Sequence, residues 1–226
     1  MPAALLLLSD GRFPAGGHAH SGGLEAAVTA GRVSDVPSLT AFLRGRMGTA
    51  GLVAGAFAAA ACAASADAAA LAELDAELDA RMPSPTVRLA SRRLGRQLLR
   101  AARAAWPAAS DAWTALAAFP GGPHQPVAFG AAAAAAGVDP LGAATATIYD
   151  AAVGPATAAV RLLGLDPFAV HAALAGLSGA VDALAAEAAS FAEPGVDPSE
   201  LPSAGAPLLD LTAEQHARWE VRLFAS

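Results

Sequence analysis

The sequence predicts an all-α protein that folds as a single domain, residues 1–226, of roughly eight to ten helices. The chain is rich in alanine, the best helix former, and its hydrophobic content is 55%. Residues that favour strands are scarce, and aromatic residues make up only 5%. A length of 226 residues allows one substantial core and is too short for three domains.

Helix starts are marked by Asp or Ser caps and by prolines at the first helical position. A glycine-rich segment, residues 1–23, comes first, and a helix can begin near Glu25. Residues 193–207 hold four prolines and two glycines, which predicts a loop. Thr212 followed by Gln215 fits a capping box. The remaining predicted helices are 37–64, one capped by Asp67, 85–106, 111–119, 126–136, 140–163, 167–191 and 213–224.

Charge and cysteine content exclude several classes of protein. The net charge of −6 argues against nucleic-acid binding through a basic surface. The single cysteine allows no internal disulfide, which favours the cytoplasm. Residues 5–8 are too short for a signal-peptide core. Residues 47–66 carry no charge, but alanine and glycine dominate them, so we expect a buried core helix and no membrane span.

The sequence offers no catalytic set, and we expect that the protein is not an enzyme. It contains no lysine, so a phosphate-binding Walker A loop is impossible. No nucleophile elbow, neighbouring Cys/His pair or dense carboxylate cluster is present. The carboxylates of Asp75 and Asp79 are expected to be solvated on a charged helix.

The strongest metal candidate is the pair His18 and His20, which lies in the glycine-rich segment. Two imidazoles two residues apart can share a metal ion if the chain is extended there, although tight sites use three or four ligands. The alternative is that one histidine caps a turn while the other is exposed. His124, His171 and His216 show no ligand spacing.

Arginines recur on one face of the helix predicted over 85–106. A basic face on an acidic protein can bind an acidic partner. The alternative is a solvated face paired with acidic residues of the preceding helix, and the sequence does not decide between the two. These residues are Glu73, Asp75, Glu77 and Asp79. We call the set of arginines the basic stripe: Arg88, Arg92, Arg96, Arg100 and Arg103.

The chain ends in a mixture of aromatic, aliphatic and basic residues, which are enriched in interface hot spots. A terminal segment that follows a proline-rich loop is often mobile until a partner binds it. The alternative is a final helix that packs on the core. The candidate interface residues are Arg218, Trp219, Arg222, Leu223 and Phe224.

Four segments in order resemble the UreF family of urease accessory proteins. Three of them are residues 90–96, residues 124–130 and the ending, 207–216 with 222–224. Each motif alone is weak, but the ordered set spans nearly the whole chain. The fourth and most distinctive segment is at the N-terminus and consists of Ser9-Asp10, Pro14, Gly16-Gly17, His20-Ser21 and Gly23-Leu24-Glu25.

The resemblance implies an all-α homodimer that is not itself an enzyme. Such a protein binds UreD (also called UreH) and the GTPase UreG, modulates the GTPase, and helps to deliver nickel to apo-urease, with no tightly bound cofactor and nickel only in transit. On this basis Arg218, Trp219, Arg222, Leu223 and Phe224 are assigned to UreD. The residues assigned to UreG or to the nickel path are Gly16, Gly17, His18, His20, Ser21 and Glu25.

Two alternatives to this function stay open. One is a metallochaperone that binds nickel directly through His18 and His20. The other is a helical protein unrelated to urease.

Overall fold

The computed structural model describes residues 3–224, and over that range it contains helices and no β-strand. The all-α prediction is therefore confirmed. Twelve α-helices occur where eight to ten were expected, and two of them have only six residues. They are α1 (Ala3–Leu8), α2 (Leu24–Thr29), α3 (Val36–Arg46), α4 (Leu52–Ala63), α5 (Ala68–Ala80), α6 (Pro85–Ala105), α7 (Ser110–Ala117), α8 (Gln125–Ala135), α9 (Pro140–Leu163), α10 (Pro167–Gly176), α11 (Ser178–Ser190) and α12 (Pro207–His216).

The predicted start signals are confirmed at five helices. In each case a side-chain oxygen accepts a hydrogen bond from a backbone N–H two or three residues later, which satisfies a donor that the helix leaves unpaired. At α3 the cap is a reciprocal capping box between Asp35 and Ser38. The capping residues are Asp35, Asp67, Ser84, Asp139 and Asp166.

Helix α4 forms the centre of the core and packs against α8, α9 and α11. Ten of its twelve residues are buried, and five of these are alanines, so neighbouring backbones come close. Gly130 of α8 is one such position, because a Cβ there would overlap the carbonyl oxygen of Ala58. The buried core helix predicted over residues 47–66 is confirmed, although Met47–Gly51 forms a π-helical turn that joins α4 to α3.

One helical run in the described residues, Val36–Ala63, is long and apolar enough to cross a membrane. The bent pair of α10 and α11 passes the same test only if the two helices count as one span. In the apolar window of Val36–Ala63, 67% of the residues are buried inside the molecule, as in a core helix.

The single helix predicted over residues 167–191 is wrong, because the chain bends by 45° between α10 and α11. Leu177 stands at the bend, and its side chain is buried. Gly176 and Ser178 on either side have lower helix propensity than alanine. Burial of Leu177 therefore stabilises a break that its neighbours make easy.

The prediction for the last helix is also wrong. Thr212 does not cap a helix over 213–224; it lies inside α12, where its hydroxyl donates to the carbonyl of Leu208 at 2.7 Å. The helix begins at Pro207, which occupies a first-turn position, and ends at His216. After His216 the chain is not helical. The N–H groups of Leu223 and Phe224 donate to the side chain of Glu25 and so are not available for helical hydrogen bonds.

The loop between α11 and α12 contains one 3₁₀ turn, Pro198–Glu200. The guanidinium of Arg81 donates to the carbonyls of Pro198, Ser199 and Leu201 at 3.2, 2.9 and 3.2 Å. The predicted proline-rich loop is thus fixed to the end of α5 by one side chain.

Candidate functional site

The glycine-rich segment folds as a tight reversal ahead of α2. Gly16 and Gly23 both have left-handed backbones, with φ of 84° and 89°. Between them a 3₁₀ turn, Gly17–Ala19, is followed by His20 in an extended conformation. The reversal places the chain so that the buried hydroxyl of Ser21 accepts from the N–H of Glu25 at 3.3 Å.

Glu25 is the centre of the site. Its side chain is buried, with 6% of the residue exposed, in the first turn of α2. Its Oε2 accepts from His216 Nε2 at 2.9 Å and from the N–H of Phe224 at 3.1 Å. Its Oε1 accepts from the N–H of Leu223 at 2.9 Å. One carboxylate therefore binds the C-terminal helix and the last described residues together.

The hydrogen bonds keep this carboxylate charged. Burial by itself would raise the pKa of Glu25, because a buried carboxylate loses its hydration. The hydrogen bonds from Leu223, His216 and Phe224 outweigh burial and hold the pKa below its ordinary value. At neutral pH the site therefore contains a buried anion whose bonding capacity is used within the protein.

The C-terminal segment, residues 218–224, lies across the surface and buries one ring. Phe224 is 6% exposed, and the guanidinium of Arg161 lies 5.0 Å from its ring centroid. The His216 and Trp219 rings contact each other at an angle of 60°, with centroids 4.7 Å apart. Leu223 is exposed, as are Arg218 and Arg222. The segment is thus held by backbone bonds and one ring, while three predicted interface side chains face outward.

The N-terminal set assigned to UreG and the C-terminal set assigned to UreD meet at Glu25. Their members differ in burial. Ser21, Glu25 and Phe224 are buried and hold the arrangement. Gly17 is exposed, whereas Gly16, His20 and Trp219 are half-buried. The side chain of His18 lies outside the part of the chain that the structure describes.

Within the described side chains, no group of three or more His, Cys, Asp or Glu residues is placed to hold a metal ion. The backbone around the candidate pair is a 3₁₀ turn up to Ala19 and extended at His20. A site on His18 and His20 therefore stays a prediction that needs ligands from elsewhere.

A cavity of about 410 Å³ lies beside the reversal, between α2, α3 and α12. Its lining is mostly apolar and includes Phe42 and Leu209. Arg46 also lines it and donates from Nε to the carbonyl of Ala151 at 3.1 Å. Gly23 is on the wall, so the start of α2 borders both the cavity and the Glu25 site.

The first two of the five arginines in the basic stripe pair with carboxylates, and we call these two the first half of the stripe and the other three its second half. Arg92 forms ion pairs with Asp75 at 3.0 Å and Asp79 at 2.7 Å, and Arg88 lies 3.9 Å from Asp79. The pairing alternative is therefore confirmed for this half. The expectation that both carboxylates are solvated is wrong for Asp75, which is only 6% exposed because Arg92 and the backbone of His124 compensate its charge.

Sequence reasoning missed a buried histidine, His124, that lies between α5 and α6. His124 is fully buried, and its Nε2 donates to Asp79 at 2.9 Å, since a carboxylate only accepts. Its Nδ1 then accepts from the Ser91 hydroxyl at 3.0 Å. Burial lowers the pKa of His124. The ring therefore joins α5, α6 and α8 as a neutral group, and only the family-like motif around residue 124 had pointed to it.

Comparison with known proteins gives a consistent result. The UreF family model matches residues 33–178. The urease accessory protein UreF of Mycolicibacterium vanbaalenii is 46% identical over 224 residues, covering 99% of this chain and 98% of that protein. The proteins of the same name from Mycobacterium marinum and Mycobacterium tuberculosis H37Rv are 45% and 38% identical over 224 residues, with the same coverage.

The alignments with these relatives extend beyond the range of the family model. Both Glu25 and His216 lie outside residues 33–178 but within the 99% of the chain that the relatives cover. The alignments therefore cover both residues, Glu25 and His216, that meet at the Glu25 site.

Proposed function

The chain belongs to the UreF family of urease accessory proteins, and on that premise we propose that it bridges UreD (UreH) and the GTPase UreG while nickel is inserted into apo-urease. The observation that carries the proposal is the similarity to named UreF proteins over 99% of the chain. The relatives are named as accessory proteins, which agrees with the absence of a catalytic motif in the sequence. We further propose that it works in the cytoplasm as a homodimer.

The Glu25 site supports a bridging role. The two proposed partner surfaces lie next to each other, because both are held by the buried side chain of Glu25. Two partners can therefore be bound at neighbouring positions. On this proposal Gly16, Gly17, His18 and His20 face UreG or the nickel path. Arg218, Trp219, Arg222 and Leu223 face UreD, and Ser21, Glu25 and Phe224 hold both surfaces in place.

Modulation of the GTPase would need a guanidinium or another positioning group that reaches the nucleotide. Arg12 is a candidate, because its side chain is exposed at the N-terminal reversal, where it pairs with Asp10 at 2.9 Å. An Arg12→Ala variant that lowers the GTP hydrolysis rate of UreG within the assembly would support this role. An unchanged rate would remove Arg12 from consideration.

Co-expression with UreD and UreG of the same organism, read by size-exclusion chromatography, tests the bridging proposal. We expect all three proteins to co-elute, and Glu25→Gln to reduce co-elution with both partners. Glu73→Gln is the matched control, since Glu73 is exposed on α5. A folded sample that co-elutes with neither partner would contradict the proposal.

Direct nickel binding through His18 and His20 is tested separately. If this alternative holds, isothermal titration of the isolated protein with nickel gives stoichiometric, sub-micromolar binding that a His18→Ala/His20→Ala variant loses. Binding that is weak and unchanged in the variant would leave nickel to the partners.

A further inference from the structure

The two halves of the basic stripe have different surroundings. Arg88 and Arg92 are compensated by Asp75 and Asp79, as described above. The other three arginines form no ion pair with any carboxylate among residues 3–224. All three are exposed, so the second half of the stripe is a cluster of uncompensated positive charge on a protein of net charge −6.

The uncompensated half lines a cavity of about 370 Å³, which we call the basic pocket. This volume is within the range of clefts that hold small-molecule ligands, about 300–1,000 Å³. The buried residues Leu99 and Pro123 form an apolar floor. The complete lining is Arg96, Leu99, Arg100, Arg103, Ala117, Gly122 and Pro123.

The loop before α8 shapes one wall of the basic pocket. Gly122 has φ of +83°, and a Cβ there would overlap the aliphatic stem of Arg96. The carbonyl of Gly121 accepts a hydrogen bond from the Arg96 guanidinium. Glycine is thus favoured at position 122 by the positive φ, and the hydrogen bond to Gly121 holds Arg96 beside this loop.

Spacing and charge point to an extended acidic chain. Arg96, Arg100 and Arg103 rise along about 10 Å of helix axis, and successive Cα atoms of the three are about 6 Å and about 4.5 Å apart along it. Alternate side chains of an extended peptide are about 6.6 Å apart on one side, so successive carboxylates can each face one guanidinium. The aliphatic parts of the peptide's acidic side chains would lie over the apolar floor of the basic pocket. A single phosphate group would meet only part of this array.

We propose that the basic pocket binds an extended acidic segment of a protein partner, with alternate carboxylates on Arg96, Arg100 and Arg103. Carboxylate–guanidinium pairs are charge-assisted and frequently bidentate, and a bound acidic chain also removes the repulsion between like charges four residues apart on α6. The proposal goes beyond the proposed function, because it holds for any partner that presents such a segment.

Fluorescence anisotropy with a labelled Glu-Ser-Glu-Ser-Glu peptide tests the proposal on the full chain alone. We expect binding that weakens with salt and that R100E/R103E reduces by about tenfold or more, as expected for the loss of two charge-assisted pairs. The matched control is R44E/R93E, which changes the net charge equally at exposed arginines outside the basic pocket. It should change the affinity by less than about twofold.

Three results would overturn the proposal: no binding by the wild-type chain, equal losses in both double variants, or displacement of the peptide by an equal concentration of inorganic pyrophosphate. The last result would identify a phosphate site instead. Circular dichroism verifies that each variant is folded, and R100Q/R103Q replaces the charge reversal if that variant unfolds. Because the assay contains neither UreD nor UreG, its outcome is independent of the co-elution experiment.

Discussion

The side chain of Glu25 accepts hydrogen bonds from three donors that lie 191 to 199 residues away along the chain. A buried carboxylate without such donors would be strongly destabilising, so the donors and the acceptor depend on one another. The bonds to Leu223 and Phe224 are made by backbone N–H groups and do not depend on which side chains occupy those positions. The identity of residue 25 is therefore more important for this site than the identity of residue 223.

The lowered pKa of Glu25 predicts a pH-dependent contribution to stability. Because the folded pKa lies below the unfolded value, the charged form stabilises the fold above about pH 4.5. That contribution is lost as the pH falls through the folded pKa. Glu25→Gln should lower the free energy of unfolding by about 1–3 kcal/mol at pH 7, and by progressively less under acidic conditions.

Urea denaturation of wild type and Glu25→Gln between pH 3 and pH 7 measures this difference. Glu73→Gln, on the exposed face of α5, should show almost no difference from wild type at any pH. A gap between Glu25→Gln and wild type that is constant across the range would show that the charge of Glu25 does not stabilise the fold.

His20→Ala separates a functional histidine from a structural one. His20 is half-buried at the end of the 3₁₀ turn, next to the buried Ser21. We expect the variant to lower urease activation in a reconstituted assay while its thermal unfolding midpoint stays within a few degrees of wild type, as for most partly exposed positions. A loss of folding would identify His20 as a structural residue instead.

At the scale of helices, small residues determine how closely the core elements approach. Gly130 of α8 lies against the backbone of α4, and Gly95 of α6 lies against the carbonyl of Pro123. Gly55 of α4 instead makes room for the side chain of Ile148 of α9. The core is built largely of alanine. Close approach at the glycines therefore supplies van der Waals contacts that larger, interdigitating side chains provide in other cores.

Two glycine substitutions should therefore have opposite effects. Gly130→Ala forces α8 away from α4 and should destabilise the protein by about 1–3 kcal/mol. Gly154 of α9 has open space around it and helical dihedrals, so Gly154→Ala should stabilise by about 0.4–1 kcal/mol through helix propensity and a less flexible unfolded state. Chemical denaturation of both variants measures this contrast, and equal effects would contradict the packing argument.

At the scale of the whole molecule, the C-terminal part is attached to three separate elements. Arg81, at the C-terminal end of α5, holds the proline-rich loop through hydrogen bonds to its carbonyls. Glu214 of α12 accepts from the hydroxyl of Ser84 and from the N–H of Thr86 at 2.9 Å, which adds a second cap to α6. His216 completes the attachment at Glu25. The C-terminal segment thus forms a surface that meets the N-terminal segment at Glu25.

That surface can be altered without breaking its attachment. R222E/L223D changes two exposed side chains but keeps the backbone N–H groups that bind Glu25. We expect weaker capture of UreD in a pull-down with little change in stability, whereas deletion of residues 217–226 should weaken both. Unchanged UreD capture by both variants would contradict the assignment of this segment.

Local signals in the sequence determined much of the helical framework. Caps such as Ser84 and Asp139 act on backbone groups two or three residues later, so a short window of sequence contains all the participants. The same locality explains the two wrong boundaries. The break between α10 and α11 depends on burial of Leu177 in the core. The end of α12 at His216 depends on Glu25, which accepts from the N–H groups of Leu223 and Phe224.

The sequence by itself determined the all-α class, most helix starts and, through ordered motifs, the family. Only the tertiary structure decided that the N-terminal and C-terminal candidate residues form one site, that half of the basic stripe is paired, and that His124 is a buried junction. The physical reason is distance along the chain. Helix capping and periodicity act within a few residues, whereas the bond between Glu25 and His216 joins groups 191 residues apart, and composition carries no record of such a pairing.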